Sequence, residues 1–190
     1  TVGVAIRVAE SIDASGCLQL GEFVLDLAND GVIYGEIRWA PEQHLTRGLT
    51  LDETVEAVQD GLEEGMELVE QQGGFIRTGQ LVTAMRHADR GLEIAELAVR
   101  HRNNGVVGFD IAGPEAGFPP TDHIKAFDYL RNNAAHYTIH AGEAFGVESI
   151  ALAVRDCHAE RIGHGIRLID DIDVECCHYF AFRFSMVSAN

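Results

Sequence analysis

The hydrophobic positions along the chain change period in a regular way. After Thr50-Leu51-Asp52-Glu53, a capping-box pattern, Val55, Val58, Leu62 and Val69 form an apolar stripe that stops near Gly73-Gly74, which predicts one helix of about five turns. Phe75 to Met85 then reads as a strand, Leu92 to Arg100 as a helix closed by Asn104-Gly105, and Val106 to Ile111 as a strand. Asp122 is expected to cap a helix carrying Ile124, Phe127 and Leu130, and Val147 to Cys157 forms the next helix. Tyr137, Thr138 and Ile139 give a short buried strand between those two helices, and Arg161-Ile162 leads into another beyond them. This βαβα order predicts a parallel sheet with covering helices. There is no repeat, low-complexity tract or linker, so residues 1–190 are expected to form one domain.

Composition narrows the class. A hydrophobic content of 46% with 23% charged residues is that of an ordinary soluble globular domain. The net charge of −16, from 30 acids against 14 Lys and Arg, repels phosphate backbones and anionic membranes, which excludes nucleic-acid polymers as expected partners. Lys125 is the only lysine; with the richness in Ala, Gly and Val this suggests a GC-rich bacterial coding bias. No stretch approaches a membrane span, and residues 1–20 lack a basic start followed by an apolar run, so a cytoplasmic location is expected. Among the four cysteines, Cys17 and Cys157 sit in apolar surroundings and read as buried thiols. The adjacent Cys176-Cys177-His178 is a poor metal site, because neighbouring side chains point different ways. Phosphate-cradling glycine motifs are absent, and Ser149 and Ser188 lack a nucleophile-elbow context.

The candidate chemistry gathers at strand ends. In Tyr137-Thr138-Ile139-His140-Ala141-Gly142-Glu143, His140 falls at the C-terminal end of a strand and Gly142 allows a sharp turn after it. That end of a parallel α/β sheet is where catalytic groups collect. Imidazole is a common zinc ligand, and a carboxylate three residues on can carry the proton of an activated water, which is the role open to Glu143. A satisfied core histidine and a solvated acid are the plainer alternative. His164, between Gly163 and Gly165, has a similar setting and could polarise the water or steady a developing alkoxide; an exposed histidine in a glycine-rich turn is its alternative. The Ala116-Gly117-Phe118-Pro119-Pro120 loop reads as a pocket rim or a plain surface turn. Glu36 and Arg38 share one face of a strand, and a charged pair on an inner face must be compensated. With Gly108-Phe109-Asp110-Ile111-Ala112-Gly113-Pro114-Glu115, these segments point to hydrolytic deamination at a metal centre.

Taken together the motifs resemble the adenosine deaminase family over roughly residues 20 to 172. Residues 34–41 look like its second barrel strand, 108–115 like its fourth, 138–143 like its fifth and 161–165 like its sixth. The resemblance implies a (β/α)8 TIM barrel of the metal-dependent hydrolase type, here incomplete, with roughly strands 2 to 6 plus a late strand. It implies His140 as a zinc ligand, Glu143 as proton donor to the purine ring, His164 as the group acting on the attacking water, and Gly113 as a purine contact. The implied reaction converts adenosine or deoxyadenosine to inosine and ammonia with one zinc ion per complete subunit. The partner is then a small purine nucleoside. The family's His-x-His pair on strand one is missing from the chain, and no aspartate follows Asp173 to supply its strand-eight Asp pair. A closed barrel needs about 250 residues, so the chain is expected to be a piece of a longer protein, and 182–190 to be strand seven or strand eight. A deaminase of adenine or another 6-aminopurine, and a catalytically silent purine-binding relative, stay open as alternatives.

Overall fold

A computed structural model of the chain describes residues 2–5, 14–45, 48–170 and 183–185, with side chains from residue 20 to 45 and 48 to 170. The elements are β1 (Val2–Ala5), α1 (Ala14–Asn29), β2 (Tyr34–Trp39), α2 (Leu51–Gln71), β3 (Arg77–Met85), α3 (Gly91–Arg100), β4 (Val106–Ala112), α4 (Ile124–Asn132), β5 (Thr138–Ala141), α5 (Val147–Arg155), β6 (Arg161–His164) and β7 (Arg183–Ser185). Short 3-10 turns cover Pro41–His44, Pro120–His123 and Ile166–Asp170. Every ladder is parallel, in the orders β1-β2-β3-β4 and β5-β6-β7. The two sets join through a bridge between Phe109 and Tyr137, where the Phe109 amide donates to the His136 carbonyl at 3.0 Å. The strands therefore follow one another in chain order, as in a (β/α) barrel.

Side-chain contacts between distant strands give the curvature. Arg161 on β6 reaches Glu36 on β2 at 2.6 Å, and Arg38 on β2 lies 3.4 Å from His140 on β5. Strands that are not neighbours in the sheet touch in this way only across the inside of a closing barrel. Outside, the helices cover the sheet through a core that includes Val24, Ile37, Leu62, Val82, Ile94, Phe109, Phe127, Tyr137 and Ile139. The α1 and α2 backbones come close at Gly21 and Gly65, where a Cβ on Gly65 would meet Val24 Cβ at 2.6 Å.

Most predicted elements are present, with differences that have local causes. The Thr50 capping box is formed: its hydroxyl accepts from the Glu53 amide, and the Glu53 carboxylate accepts from the Thr50 amide at 2.8 Å. The strand expected from Phe75 begins at Arg77; Phe75 is exposed, with the Arg77 guanidinium over its ring. Asp122 does not cap α4. It lies inside the 3-10 turn opened by Pro120, which starts the winding early and leaves His123 next to the helix. The helix from Val147 stops at Arg155, because the Asp156 and Cys157 amides both return to the Leu152 carbonyl. Cys157 is a buried free thiol, as expected, and burial pushes its pKa up to about 12. β1 adds a strand before those anticipated, and β7 pairs beside β6, the place of a seventh strand. The expectations for the side chain of Cys17, for Cys176-Cys177-His178 and for Ser188 lie outside the described residues.

Candidate active site

The C-terminal ends of β2 to β6 converge on a connected set of polar groups. Asp110 on β4 is fully buried, and its Oδ2 lies 2.6 Å from Arg38 Nε and 2.9 Å from His140 Nδ1. Its Oδ1 accepts from the Ile111 amide at 2.8 Å. Burial would raise the Asp110 pKa, but the Arg38 guanidinium and the His140 ring outweigh it and hold the carboxyl below its ordinary value. An anion is thereby kept directly behind the His140 ring.

Gly163, the register partner of His140, lies against that ring; a Cβ there would be in close contact, 3.4 Å from His140 Cα, Cγ and Nδ1. The His140 and His164 rings sit 5.0 Å apart at 60°. His164 has a left-handed backbone, φ +66°, a conformation that costs a non-glycine residue about 1 kcal/mol or more. Burial and the nearby His140 ring push its imidazole below the usual histidine pKa, with Glu143 pulling the other way. Glu143 Oε2 lies 3.6 Å from His164 Nε2, and the Glu143 side chain is 56% exposed at the barrel mouth. The structure thus brings three of the four predicted site residues together. The fourth, Gly113, stands at the end of β4 with φ +106°, and a Cβ there would meet Met85 Cε at 3.1 Å and His87 Nδ1 at 3.5 Å.

The turn after β5 is held from two sides. Gly142 has φ +71°, and a Cβ on it would strike Ile150 Cδ1 at 2.4 Å, so both conformation and space demand glycine. Glu115 accepts from the backbone amides of Gly142 (2.5 Å), Glu143 (3.1 Å), Ala144 (2.6 Å) and Phe145 (3.0 Å). Buried Arg86, at the end of β3, donates to the His140 carbonyl and, at 2.5 Å, to the Phe118 carbonyl. The 116–120 loop therefore lies beside the site. Glu36 and Arg38 each pair with a different strand, Glu36 with Arg161 and Arg38 with Asp110.

Asp110, Arg86 and Glu115 were not singled out from the sequence. A signal for Asp110 was available: an acid in the middle of the apolar run Gly108-Phe109-Asp110-Ile111-Ala112 must be compensated once buried. Arg86 and Glu115 lie just past strand ends, where nothing in the sequence separates a buried anchor from a solvated charge.

The residues fit a zinc ligand at one position. With Nδ1 against a buried carboxylate, His140 leaves Nε2 for a metal, the arrangement usual for ligating histidines. Arg38 Nη1 lies at the long end of hydrogen-bonding distance from that nitrogen. No group of three or more His, Cys, Asp or Glu positioned to hold a metal occurs among the described residues.

Known proteins resemble the chain in sequence and in fold. The chain is 62% identical over 149 residues to adenosine deaminase 1 of Streptomyces coelicolor, an alignment covering 78% of this chain and 38% of that protein. It spans less than half the length of the curated relatives it matches. Among solved structures, Arabidopsis ADAL complexed with GMP superposes with a TM-score of 0.77 at 26% identity, over 90% of this chain and 52% of that one. An amidohydrolase from Burkholderia ambifaria with bound Zn shares the fold, with a TM-score of 0.73 at 24% identity over 86% of this chain and 45% of that one. The family model for adenosine deaminase matches residues 6–178, nearly the whole chain, and the protein belongs to the adenosine deaminase family.

Proposed function

We propose that the full-length protein containing this chain is a zinc-dependent enzyme that hydrolyses adenosine and deoxyadenosine to inosine and ammonia, in purine salvage in a bacterial cytoplasm. The observation that carries the reading is the convergence of His140, His164 and Glu143 at adjacent strand ends, with the His140 ring braced by buried Asp110. The identity to adenosine deaminase 1 of Streptomyces coelicolor supports the choice of adenosine. Residues 1–190 serve as part of one barrel domain.

His140 would hold the metal through Nε2, and a zinc ion there would supply a water with its pKa lowered from 15.7 to about 7. His164, kept neutral near pH 7 by burial, hydrogen-bonds to the attacking water and later to the oxygen on C6. Glu143 would take a proton from the attacking water and hand it to the ring nitrogen beside C6, which offsets the loss of aromaticity as attack proceeds. Its exposed position at the mouth lets it meet a purine entering from solvent. Gly113, without a side chain, allows the base to lie against the backbone.

The test is a steady-state assay with the zinc-loaded full-length protein. Cytidine's smaller ring cannot reach Glu143 and Gly113 together, so kcat/KM for adenosine is expected to exceed that for cytidine by at least about tenfold. Comparable rates would sink the purine assignment. Activity on adenine or another 6-aminopurine in place of adenosine would move the substrate within the class. No turnover of any aminopurine would favour a silent purine-binding protein.

A further inference from the structure

Four consecutive backbone amides pointing at one side chain is a costly arrangement to build, and here the side chain is not itself a candidate for the chemistry. Glu115 comes from the β4 end; the amides of 142–145 come from the turn after β5. Its Oε1 takes the Gly142 amide alone, and Oε2 takes the other three. Glu115 is 7% exposed, so these bonds form in a medium where charge-assisted hydrogen bonds are strong. A turn of successive N–H groups around an anion is a nest, with the anion here supplied by the protein. Burial alone would push the Glu115 carboxyl up; the Ser149 hydroxyl and the Ala144, Gly142 and Phe145 amides outweigh it and hold the group below its ordinary value.

The residue fixed in the middle of this turn is Glu143. Its side chain is 56% exposed, and its ion-pair approach among the described residues is the 3.6 Å contact with His164. Side-chain packing therefore does little to place it, and its position is set by its backbone. Arg86 grips the same segment from the other side through the His140 carbonyl. We propose that Glu115 is a positioning residue for the deamination, fixing through the amides of 142–145 the turn from which Glu143 reaches the substrate. The inference rests on the reading of Glu143 as proton donor.

Glu115→Gln keeps the shape but presents an NH2 group to at least one backbone N–H, so the nest cannot be filled. In the full-length zinc enzyme this variant is expected to speed amide hydrogen exchange at 142–145 at least about tenfold, with the β5 and β6 strand amides unchanged. Turnover should fall about 10–100-fold with KM for adenosine within a few-fold. In a Glu143→Gln background the same substitution should change the residual kcat less than about threefold, since the group it positions is already gone. Glu115→Asp keeps the charge but retracts it by one methylene and should give the same pattern at smaller amplitude; it replaces the glutamine variant if that one does not fold. Unchanged exchange at 142–145 overturns the inference, and so does an equal loss of kcat in both backgrounds, which marks a role in the fold at large. If Glu143→Gln alone leaves kcat near wild type, the proton-donor reading itself fails and the positioning role falls with it, a result distinguishable because the exchange measurement stands apart from turnover.

Discussion

The two histidines at the barrel mouth are held in opposite ways. His140 lies in a strand with ordinary extended backbone, its ring against a fully buried aspartate and its carbonyl on Arg86. His164 closes its strand in a left-handed conformation, and its ring meets Glu143 only at 3.6 Å. One ring is braced by a buried carboxylate; the other is aimed by a strained backbone and meets a carboxylate only at 3.6 Å. Under the proposed function that difference suits the two tasks. A ligand nitrogen must stay within a few tenths of an ångström of one point, whereas a group that follows a water through attack needs room to adjust. Strain at one functional residue is offset by the compensated network beside it.

The largest expected effect separates the braced side from the side that carries the proton. In the full-length protein Glu143→Gln should retain zinc and lose about 10²–10⁴ in kcat, the range of general acid catalysis. His140→Ala should lose the metal as well. Metal analysis after dialysis, together with initial rates, reads both; an emptied site in Glu143→Gln would break the division of labour.

Next in size is the brace. Asp110→Ala leaves Arg38 buried without its carboxylate, and breaking a buried pair from one side costs about 3–5 kcal/mol. Zinc affinity should also fall about 10–100-fold as His140 loses the carboxylate behind its ring. Urea unfolding of the full-length protein checks the first expectation and a chelator competition the second. A loss under about 1 kcal/mol would mean that the charges are hydrated in solution and that His140 is no better held than His164.

How much of this arrangement was readable in advance depends on how local its cause is. The capping box at Thr50, the α2 stripe and the His140 and His164 strand ends follow from neighbouring residues, and all are present. The Asp122 cap was misjudged because the prolines before it set the turn, a competition inside four residues that the periodicity of Ile124, Phe127 and Leu130 does not reveal. Arg86 and Glu115 were out of reach for another reason. Their partners are backbone atoms up to 54 residues away, and backbone atoms leave no mark on composition or spacing. Glu36 and Arg38 were read as compensated charges; which strands compensate them is a property of barrel closure.

A smaller effect sharpens the contrast in backbone between the two histidines. At position 164 the φ of +66° favours glycine, so His164→Gly should be more stable than His164→Ala by about 1 kcal/mol. At position 140, inside β5, the order should reverse, with glycine worse than alanine by about 0.5–1 kcal/mol. Four unfolding curves decide it. The same order at both positions would mean that His164 does not hold its left-handed conformation in solution.

The smallest expected effect tests what burial adds to a carboxylate paired with arginine. Asp52 has such a partner, Arg100 at 2.6 Å, with His101 at 2.7 Å, but Asp52 is 44% exposed where Asp110 is fully buried. Its pKa is lowered from 3.8 to about 2, first by the Arg100 hydrogen bond against a burial penalty, with His101 adding to it. A folded pKa below the unfolded one means that the unfolded chain binds the extra proton first as pH falls. The contribution is therefore complete above about pH 4 and is lost progressively as pH drops toward 2. Solvent screening limits it to about 0–1 kcal/mol. Wild type and Asp52→Asn, compared by denaturant unfolding at pH 6 and pH 3, should differ by no more than this at pH 6 and by less at pH 3. A difference that grows on acidification has the wrong sign for an ion pair, and one of several kcal/mol at pH 6 would remove exposure as the reason Asp52 and Asp110 differ.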